Sequence, residues 1–485
     1  GRSVQQVGID RSWTRGKSSK KMGAQLPSAG YANYALFVLL LVYVSNQWSR
    51  YLLNYLYAVS YEDMTPEDAD KYSISYSTGI STSQYGLLVG FGFSFVFVLM
   101  GMVMGRAADL YNRKMIIFIG LLIWNVGVTI QGFAANFAQL LLGRIILGVG
   151  ESFSAPASYS LIADFFPIES RAKANGIFAF GVYVGGGLGS MSIAMALGMG
   201  WRGATFIVAI FGFILAGVVL STIKEPQRSA GDKASTKSQS SSDDEKVSVV
   251  EAFNEIFSSS LVVTIFIASS IRFMGGYAIG SYMAVFFADS YPEYNTIYSY
   301  LNASVVACGG AASSFFGGWA ADEWEKSGQR NARVWIPAIG AIASLPFMMM
   351  CVLSGNFYLS MAGLFFEYLF AECWFGPIMS VLQSALSPRV RGIGIAAYTF
   401  TTTMLGSLMS YVMGVIFDAR VSQGANEISI IKSELLYGVF GSYIIAAALF
   451  YHCHRYLGPA GSSENTPLIA KKKLDDVSEP MAADA

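Results

Sequence analysis

Apolar stretches close to the length of a bilayer crossing recur along this chain, and a chain that must cross lipid again and again has few folds open to it. Runs such as Ala35 to Val44, Met115 to Ile130 and Val439 to Phe450 belong to segments near the roughly 20 residues that span a membrane as a helix. Of the 485 residues 53% are hydrophobic and 13% charged, against about 25% charged in an ordinary soluble chain. The composition is that of a membrane protein. Net charge is formally zero, so no bulk electrostatic argument points to nucleic acid or to an acidic partner.

Breaking the apolar runs at charged and Gly/Pro-rich turns predicts twelve transmembrane helices in two sets of six. The first set covers 34–57, 83–104, 114–133, 137–164, 172–198 and 202–223, and the second 260–288, 295–320, 334–354, 357–386, 392–417 and 434–455. The fold expected is an all-α integral membrane protein of two pseudo-symmetric six-helix bundles. Its parts are an N-terminal arm (1–33), a first bundle (34–223), a connector (224–258), a second bundle (259–456) and a tail (457–485). The connector is rich in Ser, Lys and Asp, with a short amphipathic helix expected over 247–257. Lys and Arg collect in the arm, the connector and the loops on the connector side, whereas Glu62, Asp63, Glu67, Asp68 and Asp70 occupy a loop opposite. The positive-inside rule then puts arm, connector and tail in the cytosol. The first 30 residues hold no signal-peptide core, so the first span is expected to act as its own insertion signal.

The two halves repeat each other. Glu151, Pro156 and Pro167 recur 221 positions on as Glu372, Pro377 and Pro388, Gly185 recurs as Gly406, Arg50 answers to Arg272, and Gly105 with Asp109 answers to Gly318 with Asp322. Carboxylates in apolar helices are expensive unless used, so Glu151 and Glu372 are functional-site candidates. Arg144 lies seven residues before Glu151, nearly on the same helix face and about 10 Å away along the axis. The second copy has Phe365 there, so the fold is doubled but the chemistry is not. Arg50, Arg144 and Arg272 suit an anionic head group, and Trp48, Tyr183, Tyr277, Trp374 and Tyr398 suit an apolar or ring-bearing body. Glu367 shares a face with Glu372 and serves either the cavity or a neighbouring helix.

Near the connector side, Gly105 lets a neighbouring helix pack closely, while Asp109 can pair with an arginine, with Arg113, Arg171 and, in the second half, Arg391 as candidate gating partners. GRAADLYNRK and its second copy GWAADEWEKSGQR resemble the loop signature of the major facilitator superfamily. GRIILGVGE, then ADFFPIESR, the run from Gly200 and the closing Lys224-Glu225-Pro226 are most similar to its Spinster-like branch. That resemblance implies a transporter of lysophospholipids or sphingoid phosphates, often proton-coupled, with Arg144 as phosphate partner and Glu151 as proton carrier. It also exposes a departure. Where the branch usually has an acid, this chain has Ser49, so either Glu151 alone carries the proton or transport is uncoupled.

No phosphate loop, metal cluster or nucleophile with a base is visible, so neither an enzyme nor a cofactor is expected. Cys308, Cys351, Cys373 and Cys453 form no CxxC pair. The solute expected is a small or amphipathic organic anion moved by alternating access, the protein acting as a monomer in the bilayer, with protons as candidate coupling ions. A sugar or carboxylate carrier, or a scaffold that keeps the fold without transport, are the competing readings. Glu464, Leu468 and Ile469 fit an acidic dileucine signal read by sorting adaptors, which would imply an endosomal or lysosomal rather than a plasma membrane.

Overall fold

The computed structural model describes residues 27–62, 64–226, 249–387 and 389–457; the dileucine pattern and Pro388 lie outside them. Among the described residues, eleven helices are long and apolar enough to cross a membrane. In the first half they are span 1 (Ala29–Leu56), span 2 (Thr82–Leu110), span 3 (Arg113–Phe133), span 4 (Phe137–Phe165), span 5 (Lys173–Met199) and span 6 (Trp201–Thr222). In the second half they are span 7 (Ser260–Ser290), span 9 (Ala332–Leu353), span 10 (Phe357–Ala385), span 11 (Arg391–Ser422) and span 12 (Glu427–Tyr456). The expected span 8 falls short of that standard. It is assembled from Asn295–Ser304, a wider-wound π stretch Val305–Gly310 and Ala311–Lys326, and it is rich in Ala, Ser and Gly rather than Leu and Ile. Within the connector, a helix covers Val249–Ser258.

Helix starts are set locally. Ser28, Ser81, Asn112, Asn136, Ser259, Asn356 and Asn426 each accept a backbone N–H from the first turn, satisfying donors that the helix itself cannot. Spans 5 and 6 are joined through Gly200 alone, at φ 85. A Cβ there would lie 2.8 Å from the Lys71 carbonyl oxygen, so the turn tolerates no side chain.

Within each bundle the duplicated glycine is a contact point. A Cβ on Gly185 in span 5 would come within 2.5 Å of Gln47 in span 1, and one on Gly406 in span 11 within 2.7 Å of Phe273 in span 7. Backbone-to-backbone approach of this kind holds helices together where lipid gives no hydrophobic drive.

The bundles meet in the half of the membrane that faces the 57–81 loop. Span 2 lies against span 11, where a Cβ on Gly86 or Gly90 would strike the carbonyl oxygens of Ser410 and Ser407. Span 5 lies against span 8, and Asn302 donates to the Tyr55 hydroxyl at 3.2 Å and the Ser190 hydroxyl at 3.0 Å. Asn54 donates to the Gly280 carbonyl at 3.0 Å, and Tyr85 to that of Ser281 at 2.6 Å. Asp418 closes this seam. Its carboxylate accepts the Thr82 N–H at 3.2 Å and the Ser83 N–H at 2.9 Å, so an acid of the second bundle caps a helix of the first. Toward the connector side, a Cβ on Gly105 or Gly318 would meet nothing within 4 Å. The close helix approach expected at both glycines is therefore not made in this conformation.

Removing the Asp418 cap should loosen the seam by about 1 kcal/mol or more, the range for a charge-assisted hydrogen bond that is partly solvated. Spin labels at the exposed positions Glu67 and Gln423 should report a longer-distance population in Asp418→Ala; an unchanged distance distribution would remove Asp418 as a latch.

Candidate functional site

The proline in each repeat places the glutamate. Span 4 is two helices, Phe137–Glu151 and Ser154–Phe165. Span 10 is likewise Phe357–Ala371 and Phe375–Ala385, with a tight turn of 3-10 helix at Glu372–Trp374 between them. Pro156 and Pro377 each sit third in the second piece, where the missing N–H and the ring disrupt the turn that precedes them. Both glutamates thus stand at a break. Carbonyls loosened there accept side-chain donors instead: Glu151 from Asn46 at 3.4 Å, Ala371 from Arg272 at 2.6 Å and Glu372 from Ser314 at 3.5 Å.

Each half pairs its glutamate with the arginine of its own first helix. Arg50 Nε lies 2.9 Å from Glu151 Oε2, and Arg272 Nη2 lies 3.4 Å from Glu372 Oε1. The pairs are related by the repeat but oppositely exposed. In the first, the Arg50 side chain is 22% accessible and that of Glu151 0%; in the second, Arg272 is 2% accessible and Glu372 32%. One wall therefore offers a cation and the other a carboxylate. Arg50 is held over the rings of Phe97 and Phe93 at 4.3 and 5.0 Å, and Arg272 over Tyr443 and Trp374 at 4.0 and 5.5 Å, contacts that stabilise a cation out of water.

Between the bundles is a cavity of about 300 Å³. Of the residues expected to line it, Arg50, Arg272, Tyr183, Tyr277, Glu372 and Trp374 are in its wall. Tyr277 reaches across to the Ser94 hydroxyl at 3.3 Å, and Tyr183 to that of Ser314. Arg144, Trp48 and Tyr398 are not in the wall. Arg144 is fully buried behind it, donating to the carbonyls of Leu88 and Arg50, both at 3.0 Å, because span 2 breaks at Gly90 and leaves Leu88 to be satisfied. Trp48 turns into the first bundle, donating to Ser192 at 2.9 Å, and Tyr398 packs edge-on against Phe266 in the second. Ser49 is buried and donates to the Ser45 carbonyl of its own helix at 2.6 Å, and Glu367 accepts from Tyr443 at 2.9 Å.

On the connector side the charged groups pair differently from the sequence expectation. Arg113 is buried and binds Asp164 at 2.5 Å, Glu225 at 2.8 Å and the Ser160 hydroxyl at 3.0 Å. Its equivalent 220 positions on, Arg333, binds Ser380, Glu325 at 2.6 Å and Asp322 at 3.3 Å. Asp322 thus pairs with Arg333, whereas Arg391 is exposed at the start of span 11. Arg171 donates to the Ala163 carbonyl at 2.5 Å, and Asp109 is exposed at the end of span 2.

Several wall residues were missed by reading the sequence. Tyr51, Asn54 and Tyr55 continue the Arg50 face, and Phe273, Gly276, Gly280 and Ser281 continue the Arg272 face. Their helical spacing from each arginine was an available signal. Tyr368, four residues before Glu372, carried the same signal, whereas Phe93 and Phe97 carried none, since only packing brings span 2 to the cavity.

A model of the Major Facilitator Superfamily matches residues 36–411. Protein spinster homolog 1 of Xenopus laevis is 25% identical over 98% of this chain and 93% of its own length. A sphingosine-1-phosphate transporter of Danio rerio is 28% identical over 28% of each chain. Among solved structures, a bacterial homolog of the human lysosomal transporter Spinster, crystallised inward-facing and unoccupied, is similar with a TM-score of 0.67 at 20% identity. That similarity covers 93% of this chain and 99% of that one.

Because Glu151 is inaccessible and its partner is a single arginine, Glu151→Ala should destabilise the protein by about 3 kcal/mol or more through an uncompensated cation. Pairing it with Arg50→Met should recover part of that loss. Thermal unfolding in detergent of the two single variants and the double variant gives the coupling; additive effects would mean that the pair carries none.

Proposed function

The chain belongs to the Major Facilitator Superfamily, and from that we propose that it carries an amphipathic phosphate-bearing anion, of the lysophospholipid kind, by rocking its two bundles about the central cavity. One observation carries this reading: two repeat-related ion pairs that expose opposite partners. A phosphate would take Arg50 from one wall, while a cationic or hydroxylated part of the head group would meet Glu372 on the other. The rings of Tyr183, Tyr368 and Trp374 would flank it. A cavity of about 300 Å³ encloses a head group rather than a whole lipid, which suits an amphipath whose tail lies outside the polar pocket. The similarity to a sphingosine-1-phosphate transporter supports the same solute class.

Glu151 then acts as the lock on Arg50. Phosphate binding draws Arg50 away and leaves a buried carboxylate, which takes up a proton, so anion and proton travel together. Gly105 with Asp109, Arg113 and Arg171, and Gly318 with Asp322 and Arg391, would mark the halves that close when the connector side shuts. The positive-inside distribution supports a cytosolic location for that side, and the membrane would be endosomal, lysosomal or plasma.

In proteoliposomes, uptake of a fluorescent lysophosphatidylglycerol should fall by about thirtyfold in Arg50→Ala, the scale of truncating one member of a buried charge pair, and Glu151→Gln should remove its pH dependence. Wild-type vesicles that pass a hexuronate but no lysolipid would replace this reading with that of a sugar-acid carrier.

A further inference from the structure

The charges that meet at the cavity wall and just behind it do not balance within either half. Around Glu151 the first half has two arginines, Arg50 and Arg144, for that one carboxylate. In the second half one arginine, Arg272, stands beside two carboxylates, Glu367 and Glu372. Glu367 has no repeat counterpart: the position 221 residues earlier is Ile146. It is 1% accessible and accepts the Tyr443 hydroxyl at 2.9 Å. Arg272 lies over that same tyrosine ring at 4.0 Å, with its Nε unpartnered and its Nη2 turned to Glu372 at 3.4 Å. The other groups near Glu367 are weak acids: Cys351 from span 9 and Tyr368 from its own span. Span 8 carries no carboxylate, lysine, arginine or histidine from 295 to 321, its titratable groups there being Tyr298, Tyr300 and Cys308. One cation therefore serves two carboxylates, one facing the cavity and one hidden.

We propose that Glu367 is a proton-binding group coupled to the cavity through Arg272. With the cavity empty, Arg272 neutralises Glu372, and Glu367, left without a cation in a dry site, holds one proton. When a cationic part of the solute engages Glu372, Arg272 turns to Glu367, and the proton leaves to solvent. Solute cation and proton are thus mutually exclusive in the second half. By linkage, the affinity for a solute with a fixed cation tightens as pH rises, by up to about tenfold per unit for one proton released. This rests on the lysolipid reading, and its sign is opposite to the one that Glu151 gives at the phosphate.

Two fluorescent probes separate the groups: lysophosphatidylcholine, whose ammonium does not titrate, and lysophosphatidylglycerol, which has none. Binding to purified protein across pH should show the glycerol probe weakening with rising pH and the choline probe nearly flat in the wild type. In Glu367→Gln the choline probe should acquire the slope of the glycerol probe, while the glycerol probe is unaltered. A choline slope unchanged by Glu367→Gln overturns the proposal. If only the Glu151 reading fails, the wild-type glycerol probe is flat and the choline probe tightens with pH, an effect that Glu367→Gln abolishes. A test free of solute uses infrared difference spectra between acid and alkaline samples. Glu367→Gln should remove part of the protonated-carboxyl band, and a band of full intensity overturns the proposal whatever the solute is. Should that variant fold poorly, Tyr443→Phe, which keeps the ring under Arg272 but loses the donor, should displace the pH midpoint of the band; a midpoint equal to the wild type counts against it.

Discussion

A carboxylate held in the middle of a membrane protein must be matched by a cation or a proton, and much of the central architecture follows from that requirement. Removing a charge from water costs several kcal/mol even after relaxation, so Glu151 and Glu372 are tolerable only where an arginine reaches them. Each arginine comes from the first helix of its own half, at Arg50 and Arg272. Spans 1 and 7 must therefore lie beside spans 4 and 10 near the molecular centre. The broken turns before Pro156 and Pro377 let the helix present its glutamate, and carbonyls around the break are satisfied by Asn46, Arg272 and Ser314. Charge, helix break and helix order are one arrangement, made twice.

Duplication explains the scaffold, and departures from it explain the chemistry. Arg113 with Ser160 and Arg333 with Ser380 keep the same partnership at an offset of 220, yet at that offset Asp164 is replaced by Ser384 and Glu325 takes over as carboxylate partner. At the centre, the surplus arginine of the first half is spent on backbone carbonyls, while the surplus carboxylate of the second has a tyrosine. A symmetric site would bind both ends of a solute alike. With Arg50 exposed on one wall and Glu372 on the other, the cavity distinguishes them.

Much of this was legible in the sequence because it is one-dimensional. Apolar length gave the spans, with eleven meeting the standard for crossing and the eighth diluted by small residues. The repeat marks both glutamates, 221 positions apart, and both arginines, 222 apart. What failed was direction. Seven residues put Arg144 and Glu151 on one face, but nothing in the spacing says that Arg50 reaches Glu151 first, or that the break at Gly90 leaves the Leu88 carbonyl for Arg144. Only residue type points to Trp48 and Tyr398, and type cannot tell a wall from a bundle interior. Asp418 offered no signal at all, since the Thr82 and Ser83 N–H groups it caps lie more than 330 positions away in another bundle.

The seam where the bundles meet bears on how such a cavity could exchange sides. Toward the 57–81 loop, helix backbones touch through Gly86, Gly90, Gly187 and Gly414, with Asp418, Asn302 and Tyr85 bridging. Glycine contacts of this kind are lost almost completely once helices separate by an ångström or two, because dispersion falls steeply with distance. The seam is therefore closed or open rather than graded. Toward the connector side, Gly105 and Gly318 hold the same capacity for close approach without using it here. A rocking motion that opens one set of glycine contacts can offset that loss by closing the other, provided the Arg50 and Arg272 pairs at the pivot stay satisfied throughout. Those pairs link what the cavity holds to which side is shut.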